Sequence, residues 1–447
     1  MHQFPNGQDK IAVIGLGYVG IPLLLEILKI SDKRNIVGFD IDKSKIDFLV
    51  NNGNLSEFGS DDHIENKKGS NFLKITSNEN DLRDTRIFIV TVPTPINEFN
   101  VPDLTALKNA SSLIGKVLNQ SNIKDDNICV AIYESTVYPG ATEDVCYHHI
   151  KDFAGDAIKH LRLGYSPERI NPGDQKNNIT TIKKVTSGQD DDTSKWVDDF
   201  YKQFVKAGTF NVGNIKVAEA SKVIENTQRD LNIALANELA LICSRLDIDT
   251  NDVLDAACTK WNFMNIRPGL VGGHCIGVDP YYLAHKAEAV GIHSKVILSG
   301  RQVNDGMPGW IARRAIKKTV ASIGVGKPIK SLILGMTFKE NCEDIRNSKA
   351  IELFNCLQSY GSMVHITDPL IDNSLNPPEI KVQGISDFLV DLETVKKHHY
   401  DLIILAVAHD KYKNLSKEEI LSLGHAKSVY FDLKNCLPRT LHNLVRL

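Results

Sequence analysis

The sequence predicts an α/β protein: two doubly wound parallel domains joined by a central helical region with one long helix. Three observations carry this reading. Lys10 to Ile14 is an apolar strand pattern that runs into Gly15-Leu16-Gly17-Tyr18-Val19-Gly20 and then into an apolar helical segment, Ile21 to Ile30. Between Val217 and Leu246, apolar residues recur at steps of three and four, as on an amphipathic helix. Beyond about residue 320, strand and helix patterns begin to alternate again.

The first domain builds outward from its glycine turn. Ile36-Val37-Gly38-Phe39 reads as the second strand and ends at Asp40, twenty residues past Gly20. Strand, glycine turn, helix, strand and acidic residue together form the context of a dinucleotide-binding, Rossmann-like domain. Glycines permit the tight turn and let amides at the helix start, around Tyr18 and Val19, face a pyrophosphate. Asp40 would hold ribose hydroxyls and repel a 2′-phosphate, which favours NAD over NADP. Arg86 to Val92 is a continuous apolar run, as in a parallel strand buried on both faces, and it ends at Pro93-Thr94-Pro95. Ile128 to Tyr133 ends at Glu134-Ser135-Thr136, and Leu161 to Tyr165 ends at Ser166-Pro167-Glu168-Arg169. Ligands of open α/β sheets bind at these carboxyl strand ends. Pro93, Thr94, Ser135 and Thr136 therefore join Gly15, Gly17, Tyr18, Val19, Gly20 and Asp40 as cofactor-binding candidates.

The long helix follows. Val217, Ala220, Ile224, Thr227, Leu231, Leu235, Leu239, Ile242 and Leu246 form one stripe, expected to be buried. The other side carries Lys222, Asn226 and Arg229, then Ile233, Ala236 and Ala240, so it too should be covered, with Lys222 and Asn226 facing an interior cleft. A helix of this kind joins two domains or forms a dimer core. Next comes Arg267-Pro268-Gly269-Leu270-Val271-Gly272-Gly273-His274-Cys275, with Asp279-Pro280 four residues on. Paired glycines admit close backbone approach, and a thiolate there is a strong nucleophile. If Cys275 to Asp279 opens a helix, the two side chains share a face.

The last domain repeats the α/β pattern without a glycine fingerprint: strands at Ser331 to Gly335, Met363 to Ile366, Asp401 to Val407 and Val429 to Asp432, and a helix from Ala350 to Tyr360. It binds a different nucleotide or is structural. The divisions expected are residues 1–205, 206–318 and 319–447. Composition agrees: 447 residues, 42% hydrophobic, 24% charged and a net charge of −3 describe a soluble globular protein with no basic excess for nucleic acid or a membrane surface. No apolar run reaches the ~18 residues of a membrane span, and Met1 to Gly7 lacks the marks of a signal peptide. Eight scattered cysteines without a Cys-x-x-Cys pair suggest reduced thiols in the cytoplasm, with no metal site.

In this order the motifs continue through Gly335-Met336-Thr337-Phe338-Lys339, and from about Lys10 to Leu437 the chain resembles the UDP-sugar 6-dehydrogenases. The resemblance implies an NAD-binding domain, a central helical dimer (or a higher homo-oligomer built on it) and a UDP-binding domain. It further implies oxidation of a primary alcohol to a carboxylate with two NAD⁺ in turn. Cys275 would form a thiohemiacetal and then a thioester, with Lys222 and Asn226 steadying the oxyanion. Asp279, through a water held by Thr136, would manage the alcohol proton, and Glu168 would be the base for hydrolysis. Phe338 and Lys339 would contact the uridine nucleotide. Arg169, Gly272 and Gly273 join the substrate-binding set, and Arg267 would reach a diphosphate or a neighbouring subunit. His274 would be structural, and Asn304 and Asp305 match the family without an assigned role.

Glu134 and Val278 stand where the UDP-glucose branch commonly has lysines. The segments around them look closer to enzymes acting on UDP-N-acetylglucosamine or UDP-N-acetylgalactosamine in surface-polysaccharide pathways. UDP-N-acetylmannosamine and UDP-glucose are the alternatives. A protein that binds NAD and nucleotide sugar without turnover is the contrasting class; a pure binding module would not require the Cys275 thiol.

Overall fold

Ile11–Ile14, with all four side chains buried, forms strand β1 in an eight-stranded sheet. The computed structural model describes residues 3–30, 35–52, 73–169, 177–273, 275–371, 384–395 and 399–447. They divide into two compact units, Met1–Glu225 with Tyr281–Ile292, and Asn226–Pro280 with His293–Leu447. In the first unit β2 is Ile36–Phe39, β3 Leu73–Thr76, β4 Ile87–Val90, β5 Cys129–Tyr133, β6 Leu161–Tyr165, β7 Lys184–Gly188 and β8 Thr209–Gly213. Their order is β3-β2-β1-β4-β5-β6-β7-β8, with the first six parallel and β7 antiparallel to β6. Chain order reverses between β1 and β4, which makes their carboxyl ends the topological switch point.

The helix after β1, Gly20–Lys29, buries Ile21, Leu23, Leu24, Leu25 and Ile27. Pro22 falls in its first turn, where a missing N–H costs no helical bond.

The second unit holds a five-stranded parallel sheet in the order β10-β9-β11-β12-β13. These are β9 Lys330–Leu334, β10 Met363–Thr367, β11 Tyr400–Leu405, β12 Gly424–Asp432 and β13 Leu444–Arg446. Both sheets are doubly wound, as the sequence predicts. Gly335 has a φ of 92° and its N–H donates to Thr367 O at 2.8 Å; Gly15 has a φ of 99° and its N–H donates to Phe39 O at 2.8 Å. Asp368 accepts from Met336 N–H at 2.7 Å, as Asp40 accepts from Leu16 N–H at 2.9 Å. The second sheet thus repeats the first loop with one glycine instead of three. Its Asp368 also receives His409 Nε2 at 3.0 Å. Burial pushes this carboxyl up, but the bond from His409, its charge and two backbone amides outweigh that and hold it below the usual range.

The long helix, Ile215–Leu246, departs from the expectation on one of its two faces. Val217, Ile224, Leu235, Ile242 and Leu246 of the apolar stripe are more than half exposed, while Glu219, Lys222, Asn226, Asp230 and Asn237 are buried. Arg229, on the side read as covered, is exposed too. Periodicity marks an apolar face but not what covers it. The buried polar residues persist because they are hydrogen-bonded.

Glu219 is an example. Its carboxylate accepts the N–H groups of Gly140 and Thr142, and burial, against those bonds, pushes its pKa up to about 7. The folded chain therefore binds the proton more tightly than the unfolded one, so this group's stabilisation is full below about pH 4.5 and is lost as pH rises towards 7. In Glu219→Gln the amide nitrogen must face one of the two N–H donors. We expect a loss of about 1–3 kcal/mol, seen as a lower thermal midpoint that no longer carries this pH slope.

Candidate active site

The three glycines of the first loop have three separate reasons. A Cβ on Gly15 would lie 3.0 Å from the Thr91 backbone, and one on Gly20 would lie 1.9 Å from Gly15 O. A Cβ on Gly17 would meet nothing within 4 Å. The outer glycines thus serve the turn and the helix–strand packing, and the middle one leaves space for a ligand to approach the backbone. No side chain caps the helix that starts at Gly20, with Tyr18 and Val19 just before it. Asp40 follows β2 directly and also binds Lys45 Nζ at 2.9 Å. Thr91 Oγ1 donates to Gly15 O at 2.6 Å and Ser135 Oγ to Val92 O at 2.6 Å, tying the ends of β1, β4 and β5 together. Pro93 and Thr94 leave β4 at the same edge, and Pro95 O accepts Asp103 N–H at 2.8 Å and the Tyr282 hydroxyl at 3.2 Å. Thr136 follows Ser135, partly buried. Residues in this arrangement fit NAD: amides and open space for a pyrophosphate, and a carboxylate at the neighbouring strand end for a ribose.

Two residues beyond Ser166, Glu168 is buried. One of its oxygens accepts the Arg169 N–H at 2.6 Å and the other Lys184 Nζ at 2.6 Å. Arg169 Nε lies 2.8 Å from Glu225, and its buried NH1 finds no acceptor among the described residues. An unpaired guanidinium N–H of this kind suits an anionic or oxygen-rich ligand. Lys222 is buried.

In the second unit, Asn226 Nδ2 donates to the Asp279 carboxylate at 2.6 Å. The helix opens at Asp279, Asp279–Ala289, and Cys275 sits in the turn before it. Its carbonyl accepts Val278 N–H at 3.0 Å and Asp279 N–H at 2.8 Å, so the predicted i,i+4 relation exists as a turn that leads into the helix. Cys275 is exposed, and none of the eight cysteines is disulfide-bonded. His274 lies outside the described residues. A Cβ on Gly272 would lie 2.5 Å from Asn347 O, and one on Gly273 (φ 85°) 2.8 Å from the Phe338 ring. The paired glycines therefore admit protein, the loop after β9 and the turn at Asn347, as closely as any ligand.

Between the ends of β9 and β11, the switch point of the second sheet, lies a crevice lined by Leu270, Gly272, Thr337, Phe338, Ser348 and Lys349, among others. Burial pulls the Lys349 pKa down, but Glu352 and Asp305 outweigh it and hold the ammonium above the usual lysine value. Lys339 Nζ stands 5.5 Å from the Phe338 ring centroid. Arg267 does not line this crevice; it binds Asp255 at 2.6 Å and Asn265 at 2.8 Å.

Comparison with known proteins now bears on the arrangement. Residues 9–205, 216–306 and 332–439 match the NAD binding, central and UDP binding domains of the UDP-glucose/GDP-mannose dehydrogenase family. UDP-N-acetyl-D-glucosamine 6-dehydrogenase of Salmonella typhi is 46% identical over 437 residues, 97% of this chain and 98% of that protein. The chain belongs to the UDP-glucose/GDP-mannose dehydrogenase family. It is an NAD-dependent UDP-sugar dehydrogenase, an oxidoreductase. UDP-N-acetyl-D-glucosamine 6-dehydrogenase of Pseudomonas aeruginosa is 47% identical over 429 residues, 96% of this chain and 97% of that protein. A UDP-D-ManNAc dehydrogenase structure from Pyrococcus horikoshii shares the fold, with a TM-score of 0.82 at 24% identity over 98% of both chains.

For a dehydrogenase of this family the structure adds residues that the sequence leaves silent. Asn237 brackets Gly269, donating to its carbonyl at 3.0 Å and accepting its N–H at 2.8 Å. Asn237 also donates to Asn304 at 2.8 Å, Asn304 to Asp230 at 2.7 Å, and Arg301 to Asp230 at 2.6 Å and Asp305 at 2.5 Å. Asp305 lies 3.0 Å from Lys349 Nζ. This hydrogen-bonded chain gives Asn304 and Asp305 a place: they tie the loop at Gly269 to a crevice-lining lysine. Its signal in the sequence is the run of polar residues on one helix face, at 226, 230 and 237. Among the described residues no helix is long and apolar enough to cross a membrane, and no cluster of potential ligands could hold a metal ion.

Proposed function

We propose that this dehydrogenase oxidises the C6 hydroxymethyl group of UDP-N-acetylglucosamine to the uronic acid. One alcohol, two NAD⁺ and one water give one carboxylic acid, two NADH and two protons. The observation that carries the reading is the exposed Cys275 thiol, set in the turn whose last residue, Asp279, is oriented by Asn226 at 2.6 Å. NAD, bound at the glycine loop with Asp40 at its ribose, supplies the hydride acceptor for each oxidation. Asp279, through a water held by Thr136, takes the alcohol proton as the first hydride leaves. Cys275 then adds to the aldehyde carbon, which activates it for the second oxidation, and the resulting thioester is cleaved by water. Lys222 and the second N–H of Asn226 steady the oxygen that gains charge, a contribution of about 3 kcal/mol each. Glu168 takes a proton from the attacking water, and Arg169 offers its unpaired N–H to the product. Phe338 and Lys339 take the uridine nucleotide, with Gly272 and Gly273 at the rim.

The sugar rests on relatives. Those named for UDP-N-acetyl-D-glucosamine reach 46% and 47% identity, against 30% for a UDP-N-acetyl-D-mannosamine dehydrogenase of Methanocaldococcus jannaschii. The test is a comparison of kcat/KM for UDP-N-acetylglucosamine, its galacto and manno isomers and UDP-glucose. UDP-N-acetylglucosamine should rank first; a preference for UDP-glucose would overturn the reading, and a preference for the galacto isomer would correct it at C4. We further propose a homodimer in which a second copy covers the exposed stripe from Val217 to Leu246, since a row of apolar side chains this long is seldom left in water. Surface-polysaccharide precursor synthesis in the cytoplasm suits both the thiol catalyst and the nucleotide sugar.

A further inference from the structure

Two carboxyl strand ends and the start of an antiparallel third strand converge on a buried ion group that the sequence does not announce. Glu134 follows β5, Glu168 follows β6 and Lys184 opens β7. Gly164 pairs with Gly188 and Tyr165 with Ser187 across the antiparallel β6–β7 ladder. Extending that register brings Glu168 opposite Lys184. Lys184 Nζ lies 2.6 Å from Glu168 Oε2 and 2.7 Å from Glu134 Oε2, with side chains only 3%, 7% and 0% exposed. Each carboxylate has a second donor on its other oxygen: the Arg169 N–H for Glu168, and the Tyr201 hydroxyl for Glu134. The Lys184 ammonium also stands 5.0 Å from the Tyr201 ring centroid.

A single buried lysine on a carboxylate makes a poor base, because the adjacent cation stabilises the ionised form and resists proton uptake. Two carboxylates on one lysine behave differently. With both ionised the group carries one net negative charge in a site of low polarizability, and a proton arriving there relieves it. We infer that Lys184 and Glu134 are positioning residues for Glu168: the lysine fixes the carboxylate's place, and Glu134 cancels the lysine's charge so that Glu168 can take a proton from the attacking water. This deepens the proposed mechanism and rests on Glu168 being the hydrolytic base. Burial pushes the Glu134 carboxyl up against the pull of Lys184, while Glu134 and Glu168 together outweigh burial and hold the lysine charged. Among the described residues, the charged and titratable groups around Glu168 include Lys184 on β7, Glu134 after β5, Tyr201 on the helix Asp191–Lys202, and Arg169 with its partner Glu225.

The test uses the full-length enzyme with NAD and UDP-N-acetylglucosamine, followed by stopped flow across pH. In Glu134→Gln the lysine's charge falls on Glu168 alone. NADH should form in a burst of two per active site and then at a steady rate about tenfold below wild type. The acidic limb of that steady rate should move by about 1–3 pH units to lower pH. Glu134→Asp keeps the charge and should leave the limb in place. Should Glu134→Gln fail to fold, Tyr201→Phe decides: it raises the proton affinity of Glu134 and should move the limb the same way by less. A limb unmoved in the variant that folds, whatever its rate, means a purely structural ion group and overturns the inference. Glu168→Gln is the separate control; if it keeps full steady turnover, the base assignment itself fails.

Discussion

Cys275→Ala is expected to abolish uronic acid formation, lowering the steady rate by at least about 10³-fold, the scale seen when a covalent nucleophile is removed. The reason is chemical. An aldehyde gives up a hydride readily only after a nucleophile has added to its carbon, and in this mechanism the thiol is that nucleophile. Cys275 is exposed, so truncation leaves no cavity, and stability should change by no more than about 0.5 kcal/mol. Binding of the UDP-sugar, read by calorimetry, should persist, because Phe338 and its neighbours line the crevice without the thiol. Undiminished carboxylate product from this variant would sink the thioester route.

The second large effect belongs to Gly20. A Cβ there would lie 1.9 Å from Gly15 O and 2.7 Å from Thr91 Oγ1, which itself donates to that carbonyl. Helix and strand must part to admit a methyl group, an overpacking cost of about 1–3 kcal/mol or more. Gly20→Ala should therefore lower the thermal midpoint and weaken NAD by about 100-fold or more, since the amides proposed to face the pyrophosphate would move with the helix. Gly17→Ala makes the contrast, because its Cβ meets no protein atom within 4 Å. That variant should keep its stability and lose NAD affinity by steric block alone. Equal NAD affinity in wild type and Gly17→Ala would place the pyrophosphate elsewhere.

The glycine loop was legible because every residue type in it answers a local demand, whether a positive φ, an open approach or a close helix. The same holds for strand ends such as Ser135 and Glu168, where a buried apolar run stops. The long helix shows where such reading stops. Val217, Ile224, Leu235, Ile242 and Leu246 follow the spacing of a buried stripe, yet they are exposed, and the polar stripe at Glu219, Asn226, Asp230 and Asn237 is inside. Spacing identifies a face; only the partners of each side chain determine which face the chain itself covers. Lys184 was silent for a related reason. No motif singles it out, and the two carboxylates that hold the ammonium come from 50 and 16 residues away. The loop after β9 was named as a motif, Gly335 to Lys339, but its likeness to the first loop was not legible, because one glycine, Gly335, and one aspartate, Asp368, reproduce that geometry without its full signature.

The most direct measurement is the ratio of NADH formed, read at its near-ultraviolet absorbance, to UDP-N-acetylglucosamine consumed when the sugar is limiting. The account predicts two NADH per sugar and a uronic acid as the product. One NADH per sugar with an aldehyde product would contradict it, since the oxidation would then end before the step assigned to Cys275.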